Sequence, residues 1–276
     1  MTWDRSGGIM VPATLGDRKT TMLVDTGGTF SMVGQHVVDL LKPDTSRIAH
    51  GGFTLINNRE LKEIAHIRPF ALGDMTIHEF LFLVLPDGVV GPKDMDGTIA
   101  PDILANFDIE FDFAQKKMNL FSQDHCPGKA VYWARDWAEI PFQSPDNLHI
   151  QLDMMLDGKA MRAKIDTGSS SSYLSASVAK EMFGVEAGAS TESTPTADMQ
   201  SDDTSNNDRR FGHRFKSLTA NGISIANPQF IVLPDKESKA INHYGQMLLG
   251  MPELRRFHLY VAYKEQVLYL TAADAH

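Results

Sequence analysis

Cysteine is almost absent from this 276-residue chain. Cys126 is the sole one, so no internal disulfide can form and neither an oxidising nor a reducing compartment is specified. Positive charge is also scarce: 26 Lys and Arg stand against 35 Asp and Glu, a formal net charge of -9. Nucleic-acid partners are therefore not expected, because such binding relies on cations that neutralise a phosphate backbone. Long apolar runs are missing, and none reaches the roughly 20 residues of a membrane-spanning helix. The start MTWDRSGGIMVPATL has no basic stretch followed by an apolar segment, the mark of an export signal. Metal-ligand spacing of His or paired Cys is absent. Asp94, Asp96 and Asp102 lack the Gly and terminal Glu of a calcium loop, so they read as loop residues, and neither a metal nor a cofactor is expected.

What remains is ordinary globular usage, with 42% hydrophobic and 22% charged residues, and a length above what one core usually fills. The chain also repeats itself. MLVDTGGTFSMVGQHVVDLL, from Met22 to Leu41, aligns with RAKIDTGSSSSYLSASVAKEM, so that Asp25 matches Asp166. FALGDMTIHEFLFLVLPD, ending at Asp87, aligns with SLTANGISIANPQFIVLPD, ending at Asp235; TIAPDIL (Thr98 to Leu104) aligns with LLGMPEL (Leu248 to Leu254). Three landmarks recurring in one order mark a duplicated unit, and such a unit decides architecture before any local reading does.

The copies are joined by SQDHCPGKAVYWARDWAEIPFQSPDN, whose prolines and glycine read as a linker, with a short strand expected at Val131 to Trp133. The expected division is an N-terminal lobe at 1–121, a linker at 122–147 and a C-terminal lobe at 148–276. Tyr132, Trp133 and Trp137 are assigned to interlobe packing. EAGASTESTPTADMQSDDTSNND in the second copy holds too few apolar residues to order itself and reads as a mobile surface loop.

Within each copy, short apolar or alternating runs bounded by Gly, Pro, Asn and Asp predict strands: FLFLVL, QFIVL, FDIEFDF, LHIQLDMML and QVLYLTA. Helices are few. QHVVDLL and SASVAKEMF follow the two Asp-Thr-Gly turns, and Ser175 or Ser177 supplies a cap for the second. The fold expected is mainly β, with strand edges hidden by barrel-like closure.

Each Asp-Thr-Gly closes an apolar strand, MLVDTG or AKIDTG. Gly27 and Gly168 give the backbone freedom a sharp turn needs and leave room for a ligand. Thr26 and Thr167 offer hydroxyls across a two-fold seam. One such tripeptide alone is an ordinary β-turn. Two at equivalent places in a duplicated chain meet at the pseudo-two-fold axis. Paired carboxyls there cannot both ionise cheaply, so they share a proton and act as base and acid together.

These residues, followed by a distant apolar-apolar-Gly segment in each half, resemble the retropepsin-like and pepsin-like aspartic proteases, in the bacterial single-chain form with tandem lobes. The resemblance implies two acid-protease β-barrel lobes with a cleft between them. Asp25 and Asp166 would be catalytic, supported by Thr26, Gly27, Gly28, Thr167, Gly168 and Ser169, and braced by Ile99-Ala100 and Leu249-Gly250. Two departures stand out: Ala100 replaces the family's Gly, and Gly28 lacks the hydroxyl of Ser169. A flap is expected in GGFTLINNRELKEI, with Asn57 and Asn58 at its tip. The implied activity is endopeptidase cleavage of protein or peptide by Asp-activated water, with no metal, in a monomer acting as a pseudo-dimer. A catalytically weakened peptide-binding or regulatory pseudoprotease is the alternative. By the same resemblance the location is periplasmic or secreted, with any signal or anchor trimmed ahead of Met1.

Overall fold

The computed structural model describes residues 1–4, 7–49, 51–55, 60–86, 95–145, 148–187, 210–238 and 246–273. Two hairpins start the two lobes. Ile9–Leu15 pairs with Arg18–Val24, and Gln151–Leu156 with Lys159–Ile165. In the second, Asp157 and Gly158 both take positive φ (46° and 77°), the backbone that a tight two-residue turn between twisted strands requires. In both hairpins burial deepens toward the end of the second strand, so the residues preceding each Asp-Thr-Gly lie in the core.

The two lobe sheets have the same strand order. The first runs Met75–Ile77, Phe70–Leu72, Ile9–Leu15, Arg18–Val24, Gly97–Ile99, Met32–Gly34, Phe80–Leu85, Glu63–Ile67, extended by Asp44–Arg47 and, on the Ile9 strand, Thr2–Trp3. The second runs Ile223–Ala226, Ser217–Ala220, Gln151–Leu156, Lys159–Ile165, Met247–Leu249, Ser172–Ser175, Gln229–Leu233, Phe211–Arg214. At the centre of each, a late strand wedges into the middle of the Asp-Thr-Gly segment. Gly97–Ile99 lies parallel to Arg18–Val24 and antiparallel to Met32–Gly34; Met247–Leu249 does the same between Lys159–Ile165 and Ser172–Ser175. The strands entering and leaving each turn are thus held one strand apart, which spreads the turn.

Helices Gln35–Leu41 and Ala176–Phe183 follow the turns, and Ser175 caps the second by accepting the Val178 N–H at 3.3 Å. Helices Pro101–Leu104 and Met251–Leu254 follow the wedge strands. The expected strands appear at Phe80–Leu85, Gln229–Leu233, Asp108–Asp112, Gln151–Leu156 and Val267–Ala272.

A third sheet is built from both halves, in the order Lys117–Phe121, Asp108–Asp112, Phe257–Ala262, Val267–Ala272, Ala138–Pro141. Its central antiparallel pair, with Ile109 opposite Val261 and Phe111 opposite Leu259, joins equivalent strands of the two copies. Ile109, Phe111, Leu259 and Val261 enter one apolar core shared by the lobes. The opposite face carries Asp108, Glu110 and His258, all buried. Residues of the connecting segment cover them: Trp133 stacks on His258 at 4.0 Å, Tyr132 donates its hydroxyl to Glu110, and His125 pairs with Asp108.

Two sequence expectations are corrected here. Val131 to Trp133 is not a strand; Trp133 stacks on His258 of the shared sheet, and edge pairing is made by Ala138–Pro141 instead. Asp102 is not in a loop but in helix Pro101–Leu104. Asp96 is in a loop, where it accepts the Thr21 N–H at 2.7 Å. Asp94 and most of the Ser/Thr insert, residues 188–208, lie outside the described residues.

Candidate active site

Both turns are anchored alike. The Asp25 N–H donates to the Ile99 carbonyl and the Asp166 N–H to the Leu249 carbonyl, each at 2.9 Å. The expected bracing pairs, Ile99-Ala100 and Leu249-Gly250, therefore lie directly behind the aspartates.

The threonines lock the turns together. The Thr26 N–H donates to Thr167 Oγ1 at 3.1 Å and the Thr167 N–H to Thr26 Oγ1 at 3.0 Å. Each hydroxyl then donates across the seam, Thr26 to the Ile165 carbonyl and Thr167 to the Val24 carbonyl. Four hydrogen bonds thus cross the seam, with both threonines buried, so the seam tolerates little relative sliding of the turns.

That lock brings the carboxyls together. Asp25 Oδ1 accepts from the N–H groups of Gly27 and Gly28 at 3.0 and 2.8 Å, and Asp166 Oδ1 from that of Gly168 at 2.9 Å. A Cβ added to Gly27 would lie 2.1 Å from Asp166 Cγ, and one on Gly168 would lie 2.6 Å from Asp25 Cγ. Each carboxyl thus rests on the glycine of the opposite turn, and the two share a hydrogen bond. Both residues keep part of their surface open. Burial raises both carboxyls above the ordinary range, and the neighbouring Asp25 charge helps push Asp166 up to about 7.

The two departures from the family pattern sit in unlike surroundings. Gly28 is the counterpart of Ser169, and Ala100 of Gly250. A Cβ on Gly28 would stand 3.4 Å from the Ala100 methyl and 2.8 Å from Asp25 Oδ2, whereas one on Gly250 would strike the Ser171 carbonyl at 2.3 Å. One lobe carries its extra carbon on the brace, the other on the turn. Ser169 donates its hydroxyl to the Ser171 carbonyl at 2.7 Å.

Sequence reasoning missed the support behind each brace. Ser31 accepts the Ala100 N–H at 2.9 Å and donates to Asp102 at 2.6 Å. Its counterpart Ser172 accepts the Gly250 N–H at 3.0 Å and donates to Glu253. The two acids sit one helical position out of register, so the repeat hides their common task. Lys164 was also missed. It is 6% exposed, and its ammonium donates to the Gly27 carbonyl of the opposite lobe at 2.6 Å.

Of the candidate flap, the stem is described: Phe53–Thr54 pairs with Glu60–Leu61, and Phe53 meets Phe30, five residues after Asp25, edge-on at 4.3 Å. Asn57 and Asn58 lie outside the described residues. Among the described residues no group of His, Cys, Asp and Glu has the arrangement of a metal site, and no helix is long and apolar enough to cross a membrane.

No curated protein matches the chain in sequence. Among solved structures it is similar over 99% of its length to basic 7S globulin from soybean (TM-score 0.55, 12% identity, 96% of that chain). An aspartic proteinase from Irpex lacteus is similar over 96% of this chain (TM-score 0.55, 13% identity, 94% of that chain). A retropepsin-like aspartic protease from Rickettsia conorii aligns with 51% of this chain and 94% of its own (TM-score 0.35, 18% identity). The first two likenesses show the two-lobed, pepsin-like β fold. The aspartyl protease family profile matches residues 11–99 and 152–252, which include both Asp-Thr-Gly turns, Ile99 and the Leu249-Gly250 brace, and the chain belongs to that family.

Proposed function

We propose that the chain is an aspartic endopeptidase in which Asp25 and Asp166 hold and activate one water between them. The reading is carried by the reciprocal Thr26–Thr167 exchange, which seats each carboxyl on the other turn's glycine. Asp25, with two N–H donors on one oxygen, is the better-stabilised carboxylate; Asp166 holds the shared proton. Asp25 takes a proton from the water as its oxygen attacks the scissile carbonyl carbon, while Asp166 gives its proton to the carbonyl oxygen. Collapse of the tetrahedral intermediate breaks the C–N bond. Asp25 passes its proton to the leaving amine, and Asp166 regains one from the hydroxyl. Peptide or protein is the substrate, and the acids and bases are supplied entirely by this pair.

A cleft retained for peptide binding without turnover is less well supported. Its sequence grounds are Ala100 and the difference between Gly28 and Ser169, yet Ala100 is buried behind the turn and Gly28 still donates its N–H to Asp25 Oδ1 at 2.8 Å.

Asp25→Asn and Asp166→Asn should each lower cleavage of an unstructured protein at pH 3.5 to 7 by at least about a hundredfold, with thermal unfolding still cooperative. Full activity in either variant would refute the proposal.

A further inference from the structure

The pseudo-two-fold that relates the lobes fails at one buried position beside the dyad. Lys164 stands two residues before Asp166, and its counterpart two residues before Asp25 is Leu23. In their sheets the two occupy equivalent registers, Leu23 opposite Thr98 and Lys164 opposite Leu248. Leu23 packs into an apolar cluster with Met10, Leu61 and Leu83. Lys164 instead reaches across the seam to the Gly27 carbonyl at 2.6 Å, on the residue whose Cα lies beneath the Asp166 carboxyl. Lys164 as a residue is 6% exposed, and its ammonium is committed to the Gly27 carbonyl.

Burying a cation costs several kcal/mol unless nearby anions offset it. Asp25 and Asp166 are ionisable groups that act on Lys164; its register partners on the adjoining strands, Gln151 and Leu248, carry no charge. A dyad holding one proton has one negative charge, which the lysine matches, whereas a doubly protonated dyad offers the ammonium no charge in return.

Resting on the protease reading above, we propose that Lys164 is a cross-lobe positioning residue that fixes the Gly27 turn and holds the dyad in its singly protonated, working state to lower pH than the two carboxyls reach alone. Burial lowers the ammonium's own pKa, and the two aspartates oppose that loss; its charge in turn favours ionisation of both.

The test is the pH profile of kcat/KM on an internally quenched peptide for Lys164→Met, Lys164→Arg and the parent chain, with 13C NMR titration of the Asp25 and Asp166 carboxyls in the same full-length proteins. Lys164→Met should move both limbs of the profile, and both carboxyl titrations, upward by about one pH unit. Lys164→Arg should leave them near their parent positions. Should Lys164→Met unfold, Lys164→Leu, which copies Leu23, replaces it. Unmoved limbs and titrations with a merely lower kcat/KM would make the lysine a strut only and overturn the inference. If the parent cleaves nothing but the carboxyl titrations still shift in Lys164→Met, the coupling stands and the protease reading falls.

Discussion

The hydroxyl of Thr26 accepts the backbone N–H of Thr167, and the hydroxyl of Thr167 accepts that of Thr26, at 3.0 and 3.1 Å. Neither residue can be satisfied without the other lobe in place, so the bonds that position the aspartates are also bonds that hold the lobes together.

Removing one hydroxyl should therefore cost stability as well as activity. Thr26→Ala strands the Thr167 N–H and the Ile165 carbonyl in a buried seam, and a loss of about 2–4 kcal/mol is expected. Thr26→Ser keeps the hydroxyl and should cost about 1 kcal/mol for one buried methyl group. Denaturant unfolding of both single variants and the Thr26/Thr167 double variant would measure this. A coupling below about 0.5 kcal/mol would mean the exchange does not act as a unit.

The braces should respond unequally to the same chemical change. Gly250→Ala forces a methyl against the Ser171 carbonyl and is expected to destabilise by about 1–3 kcal/mol or displace the turn. Ala100→Gly only removes a buried methyl from beside Gly28, at a cost of about 1 kcal/mol, and should keep most peptide cleavage. Comparable losses in both variants, read by thermal unfolding and activity, would contradict the unequal space behind the two turns.

The dyad should impose a falling stability as pH rises. Asp166 goes from 3.8 to about 7 on folding, so between those values the folded chain binds more protons than the unfolded one, and unfolding becomes easier with increasing pH. The contribution is intact below about 4 and gone above about 7. Asp166→Asn should flatten this part of the Tm-against-pH curve and gain on the parent toward neutral pH. A parent Tm that rises across the window with no change of slope in the variant would contradict the raised Asp166.

Much of this was legible because it is local. Apolar runs punctuated by Gly and Pro gave strands, small polar residues after each turn gave the helix starts, and the repeat placed Asp25 against Asp166. Long-range covering was not legible. Asp108 and Glu110 alternate with Ile109 and Phe111 as on a half-solvated strand, yet all four are buried, because the segment around His125 and Tyr132 folds back over the acidic face. That return also displaces the expected strand at Val131 to Trp133. Lys164 escaped notice because a lysine on an edge-to-core strand reads as outward-facing, and its acceptor is 137 residues away. The Ser31–Asp102 and Ser172–Glu253 supports were hidden by the one-residue shift between copies.

Lys164 also bears on why the halves are joined in one chain. In a symmetric homodimer every residue near the axis comes twice, so charges there must be even in number: two leucines or two lysines, never one of each. Two ammoniums would overcompensate a pair of acids that keeps one proton between them. Covalent fusion releases the axis from that parity, and this sequence has Lys164 in one half where the other has Leu23.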